Sequence, residues 1–200
     1  MITAIDKNTA LVLIDLQKGI VKNYTGDVVS EVLVNAAKLI EVFREQGLPI
    51  VIVNVNPLGA AWTKTRREIS NVPKNTVVQT VAKVAMSVSG FTDIVPEIKT
   101  APDDIFITKH TWNAFYETLL HEELQKRNVT GIVLGGIATS IGVEGTARAA
   151  SELGYNTSFA MDAMTDRVAE AHQNSVANIF PRIGEVGSVD EIVEKLQQRG

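Results

Sequence analysis

The chain reads as an α/β protein, a three-layer α-β-α sandwich around a mostly parallel, roughly six-stranded sheet, and three features of its 200 residues carry that expectation. Short apolar runs rich in Val and Ile recur without polar alternation, the pattern of strands covered on both faces. Segments with apolar residues at helical spacing lie between them. Glycines stand where two of those helical segments stop, at Gly47 and Gly154. Strands and helices alternating in this way build parallel sheets with right-handed crossovers.

The first run is Ala10 to Ile14. Val28 to Gln46 then carries Val32, Leu33, Ala36, Leu39, Ile40 and Phe43 at helical spacing, and Ile50 to Val53 is the next run, so the stretch is a βαβ unit. The same grammar returns with Ile105 to Ile107, a helix from about Phe115 to Arg127, the run Gly131 to Leu134, and a helix from about Val143 to Leu153. A last cycle has Asn156 to Met161 as a strand, Val168 to Asn178 as a helix, Ile183 to Val186 as a short strand and Val189 to Gln198 as the terminal helix. Pro57 to Asp104 breaks the rhythm with Trp62, the basic cluster Lys64, Arg66 and Arg67, and then Pro73, Gly90, Pro96 and Pro102. A loop of this length inside a compact domain is either a functional lid or a solvated excursion. With no repeat or linker in view, residues 1–200 are read as one domain.

Composition narrows the function. At 45% hydrophobic residues the chain has material for a core, and a domain of this size buries roughly 70% of its unfolded surface. The cysteine count is zero, which excludes thiol nucleophiles, disulfides and thiolate metal sites together. A net charge of -4 offers no broad basic field for nucleic acid or an anionic membrane, so a small-molecule partner is expected. Met1 to Lys7 lacks the pattern of a secretory signal and no apolar run approaches the ~18 residues of a membrane span, so a cytoplasmic location is expected. The apolar helices leave room for a homo-oligomer.

Ligands of open α/β sheets bind beyond the carboxyl ends of strands, so the residues after each apolar run are the first candidates. Asp15 follows the first run in Leu13-Ile14-Asp15-Leu16-Gln17, Lys109 follows another in Ile107-Thr108-Lys109-His110, and Gly135 to Glu144 leaves a strand and opens a helix. Singly, each has a bland explanation: a helix cap, a solvated lysine, a glycine that relieves crowding. Together on one sheet edge they point to chemistry, since a carboxylate beside an ammonium tunes proton transfer and amides at a helix start hold developing negative charge. Trp112, Phe115 and Trp62 either wall a pocket or belong to the core or an interface. Gly135, Gly136 and Gly142 do not have the G-x-G-x-x-G spacing of a dinucleotide loop, and no cofactor is expected.

Leu13-Ile14-Asp15-Leu16-Gln17, then Lys109 with Trp112, Ala114 and Phe115, then the segment from Gly135 through Gly142 to Arg148 resemble the isochorismatase-like hydrolases of the cysteine hydrolase superfamily, in order and over nearly the whole chain. The resemblance implies that Asp15 is a general acid or base, that Lys109 supports it, and that Gly142 stands where the family has its nucleophilic cysteine. It also implies a cis peptide at Ile137-Ala138 that turns backbone amides inward as an oxyanion hole. Gln17, Trp112, Phe115 and Thr139 are the implied substrate-binding residues.

Glycine cannot attack an amide carbonyl, so nicotinamidase-type chemistry is not expected. Family members that cleave the vinyl ether isochorismate are similar to this chain in dispensing with a thiol, because protonating the enol ether carbon creates an oxocarbenium-like centre that water attacks. On that reading the chain hydrolyses a small, anionic molecule, with Asp15 as the acid and Lys109 orienting it or holding a substrate carboxylate. The alternatives are a catalytically inactive binding or oligomeric scaffold, and a Cys-to-Gly variant of a cysteine amidohydrolase. Thr139 and Ser140 offer hydroxyls near Gly142, but no histidine is close in sequence, and helix capping is their expected role. No metal is expected: nicotinamidase-like relatives carry an aspartate and histidines where this chain reads Asn54-Val55-Asn56-Pro57, and His110, His121 and His172 form no close pair at ligand spacing.

Overall fold

The computed structural model describes residues 1–24, 26–56 and 90–198. Among these, six strands form one sheet: β1 (Thr9–Ile14), β2 (Ile50–Val55), β3 (Ile105–Lys109), β4 (Gly131–Ile137), β5 (Asn156–Thr165) and β6 (Glu185–Gly187). Every pairing is parallel and the order is β3-β2-β1-β4-β5-β6. The chain therefore starts in the middle, winds outward to β3, and crosses back to β4, which leaves a switch point between the ends of β1 and β4. The α-helices among the described residues are α1 (Lys18–Val21), α2 (Asp27–Glu45), α3 (Leu120–Gln125), α4 (Glu144–Glu152), α5 (Ala169–Asn174) and α6 (Val189–Gln197). No helix among the described residues is long and apolar enough to cross a membrane.

The period of two along β1 sorts its side chains between the outer layers. Leu11 and Leu13 join Leu39, Ile40 and Phe43 of α2 and Ile192 and Leu196 of α6 in one core. Ala10, Val12 and Ile14 join Leu120 and Leu124 of α3, Ala147 and Ala150 of α4, and Phe159 and Phe180 in the other. Leu39 is completely buried, and its truncation to Ala should cost about 2–5 kcal/mol. Helix α6 begins on a capping box in which Ser188 accepts from the Glu191 amide and the Glu191 side chain accepts from the Ser188 amide.

Several elements differ from the sequence reading in length. Strands β3, β4 and β5 run on to Lys109, Ile137 and Thr165, through residues whose polarity or glycine content hides them from an apolar-run criterion. Gly136 shows why one is a glycine: it has φ +118°, and a Cβ there would lie 2.1 Å from the carbonyl oxygen of Ile14. The helix expected from Phe115 to Arg127 shrinks to α3, preceded by Glu117 in the left-handed region at φ 52°. The helix expected from Val143 opens with a π-helical turn over Thr139–Val143. The one expected over Val168 to Asn178 divides into α5 and a π-helical turn over Ser175–Ile179.

Trp62, Lys64, Arg66, Arg67 and Pro73 of the long excursion lie outside the described residues. Its described end returns to the fold. The Lys18 and Gly19 amides donate to Asp93 and Phe91 at 2.8 and 3.0 Å, Val95 donates to Leu16, and Val95 and Ile98 are buried.

Candidate active site at the switch point

Asp15 leaves β1 in the left-handed region, at φ 52°, which aspartate tolerates better than most side chains. Its amide donates to the Val53 carbonyl at 2.9 Å, which holds the turn against β2. Its Oδ2 accepts from Lys109 Nζ at 2.7 Å, and that ammonium donates also to the Thr111 carbonyl at 3.1 Å. Both residues are nearly inaccessible, at 5% and 2% exposure, yet Asp15 Oδ1 has no hydrogen-bond partner among the described residues. Burial pushes the Asp15 carboxyl up to about 6, against the opposing pull of Lys109. A buried ion pair adds little net stability, and one with an unpaired oxygen beside a cleft is a candidate functional site.

Gly142 sits in the π-helical turn that follows β4. A Cβ on its backbone would point at the pair, 3.4 Å from Asp15 Oδ2 and 3.6 Å from Lys109 Nζ. It would also come within 2.8 Å of Ile14 Cγ2, so the methyl group already occupies part of the space a side chain would need. The peptide between Ile137 and Ala138 is cis. The Ala138 carbonyl accepts from the amides of Ile141 and Val143 at 3.1 and 3.2 Å. Asp166 braces the turn from outside: its Oδ2 accepts from the Ser140 amide at 2.8 Å and hydroxyl at 2.7 Å, and its Oδ1 from the Val168 amide.

These groups line a cleft of about 330 Å³ together with Ile20, Asn23, Tyr24, His110, Trp112 and Arg167. Asp15, Lys109, Gly142, Ile137, Ala138 and Trp112 are thus brought together. Three other residues expected at the substrate are not. Gln17 is fully buried, and its carboxamide is consumed by backbone: Nε2 donates to Val55 and Phe91, and Oε1 accepts from the Val55 amide at 2.7 Å. It braces β2 against the returning chain. Phe115 packs on Tyr155, ring centroids 5.8 Å apart, inside the second core. Thr139 is fully buried, with its hydroxyl 2.9 Å from His172 Nδ1 and outside the cleft lining. Burial lowers the pKa of that histidine, with Asp166 opposing.

Sequence reasoning missed Asn23, Tyr24 and Arg167. Arg167 was within reach of the rule that found Asp15, because it comes two residues after the true end of β5 at Thr165. Burial and the nearby Asp166 push the Tyr24 phenol up to about 12, so it remains a neutral hydroxyl. Lys109 and Arg167 outnumber Asp15 among the charged groups of the lining, which suits an anionic ligand. Near the end of β2, the Asn54 carboxamide donates to the Thr92 carbonyl, and among the described residues no group of three or more His, Cys, Asp or Glu side chains could hold a metal ion.

Residues 9–191 match the Isochorismatase domain. The chain is 39% identical to the isochorismatase family protein YecD of Escherichia coli O157:H7 over 191 residues, which span 95% of this chain and 97% of that one. An isochorismatase family protein from Burkholderia thailandensis has a similar structure, with a TM-score of 0.82 at 30% identity, over 98% of this chain and all of that one. Nicotinamidase 3 of Arabidopsis thaliana is more distant, 26% identical over 86% of this chain and 81% of that protein.

Proposed function

The chain belongs to the isochorismatase family of hydrolases, and from that premise we propose that it cleaves a small anionic molecule at a vinyl ether or related C–O bond, using Asp15 and Lys109 and no covalent thiol intermediate. The observation that carries this reading is the state of Asp15: buried, half-paired, and with its carboxyl raised to about 6. A carboxylic acid that keeps a substantial protonated fraction near neutral pH can protonate carbon, which an ordinary aspartate rarely does.

The proposed step balances as follows. The Asp15 proton moves to the enol ether carbon, and the ether oxygen shares the resulting positive charge. Water adds to the oxocarbenium carbon and returns a proton to the Asp15 carboxylate. The hemiketal then collapses to an alcohol and a carbonyl compound. Lys109, 2.7 Å from Asp15 Oδ2, stabilises the carboxylate while the proton is away. Arg167 holds the anionic group of the substrate, Trp112 covers the ligand, and the backbone at Ile137 and Ala138 closes the wall of the cleft.

The test is hydrolysis of an isochorismate-type vinyl ether, run beside a panel of small amides including nicotinamide. Turnover of the vinyl ether alone, lost in Asp15→Asn, supports the proposal. Turnover of an amide alone would overturn the assignment of bond type, and no turnover of either would favour a scaffold that binds without reacting.

A further inference from the structure

A second hollow of about 600 Å³ lies beside the Asp15 cleft, and Asn23, Tyr24 and Arg167 line both. Beyond those shared residues the walls change character. Val28 and Val29 from the start of α2 and Met161 from β5 line the second hollow. Val28 and Met161 are 58% and 42% exposed and leave apolar surface open at its rim. Methionine adapts its shape to flexible ligands. Of the nearby carboxylates, Asp166 is engaged by Ser140 and Val168, and Asp162 accepts from the Val189 amide, whereas Glu31 stands exposed among the lining residues.

We propose that the two hollows form one groove for an amphipathic monoanion. Its reactive end lies at Asp15 and Lys109, its anionic group on Arg167, and an uncharged apolar tail over Val28, Val29 and Met161. Glu31 on the tail side disfavours a second anionic group there. This deepens the reading that the Asp15 cleft receives an anion, and rests on it. It adds a substrate class: a carboxylate with an apolar extension, rather than a compact polar acid.

The experiment is calorimetric titration of the full chain with sodium salts of straight-chain carboxylic acids from acetate to octanoate, with the eight-carbon dicarboxylate suberate as control. Affinity is expected to climb by up to about fourfold per methylene once the chain passes Arg167, and suberate should bind more weakly than octanoate. Arg167→Met should weaken the whole series. Met161→Glu should flatten the dependence on length while leaving the short acids unchanged. Equal affinity along the series in the unmodified protein, or an undiminished slope in Met161→Glu, would overturn the groove and leave the anion site standing. Failure of every carboxylate to bind would overturn both. A flat series together with dissociation of an oligomer by Met161→Glu in sedimentation would identify the second hollow as a subunit contact, which also overturns the groove.

Discussion

Two carboxylates are buried beside a cation at opposite ends of the sheet, and their hydrogen bonding differs. At the amino end of β3, Asp104 accepts from Arg44 Nη2 at 3.0 Å on each oxygen, and its Oδ2 accepts from the Ala101 amide at 2.7 Å. Both of its oxygens are engaged by protein donors. At the carboxyl end of β1, Asp15 has one oxygen on Lys109, the other without a partner among the described residues, and its carboxyl displaced upward by burial. A carboxylate with both oxygens on protein donors serves as a brace. One that is desolvated and half-paired is held where it can exchange a proton.

Substitutions can break this contrast. Asp15→Asn keeps the shape but supplies no proton, so turnover of a confirmed substrate should fall about 10²–10⁴-fold with folding intact by circular dichroism. Asp104→Asn should do the reverse, with unchanged kcat/KM and a loss of about 1–2 kcal/mol in urea unfolding, moderated because Arg44 is partly solvated. Equal kinetic effects of the two would erase the distinction.

Gly142→Cys sharpens it. The thiol would be the protein's sole cysteine, directed at Lys109 Nζ and Asp15 Oδ2, and should be alkylated by iodoacetamide faster than free cysteine at pH 7. Because Ile14 Cγ2 must move, the variant should lose about 1–3 kcal/mol of stability. Alkylation no faster than free cysteine would contradict the electrostatics drawn for the site. The smallest effect is expected of Trp112→Ala, which lines the cleft from a position 56% exposed and should raise KM several-fold without changing kcat.

The strand cores were legible because Ala10 to Ile14 or Ile50 to Val53 cannot be amphipathic and must be covered on both faces. Their ends were not, because Gly135, Gly136, Asp162 and Thr165 continue β4 and β5 without looking like strand. The site followed the same division. Asp15 and Lys109 were visible as charges directly beyond an apolar run. Arg167 was missed because β5 was read as stopping at Met161, before the residues that follow its true end. Gln17 and Phe115 were assigned to the substrate, but their partners, the Phe91 carbonyl and the Tyr155 ring, are distant in sequence, and no local pattern reveals that a side chain is already committed.

Thiol-free acid chemistry at Asp15 is tested most directly by the pH dependence of kcat/KM for a vinyl ether substrate. The Asp15 carboxyl rises from its ordinary 3.8 to about 6, so the reactive protonated form is full below that point and lost above it. The rate should hold level on the acid side of pH 6 and fall tenfold per unit above it, with that limb absent from the residual rate of Asp15→Asn. A rate that rises through pH 6, or the same falling limb in Asp15→Asn, would show that Asp15 is not the acid.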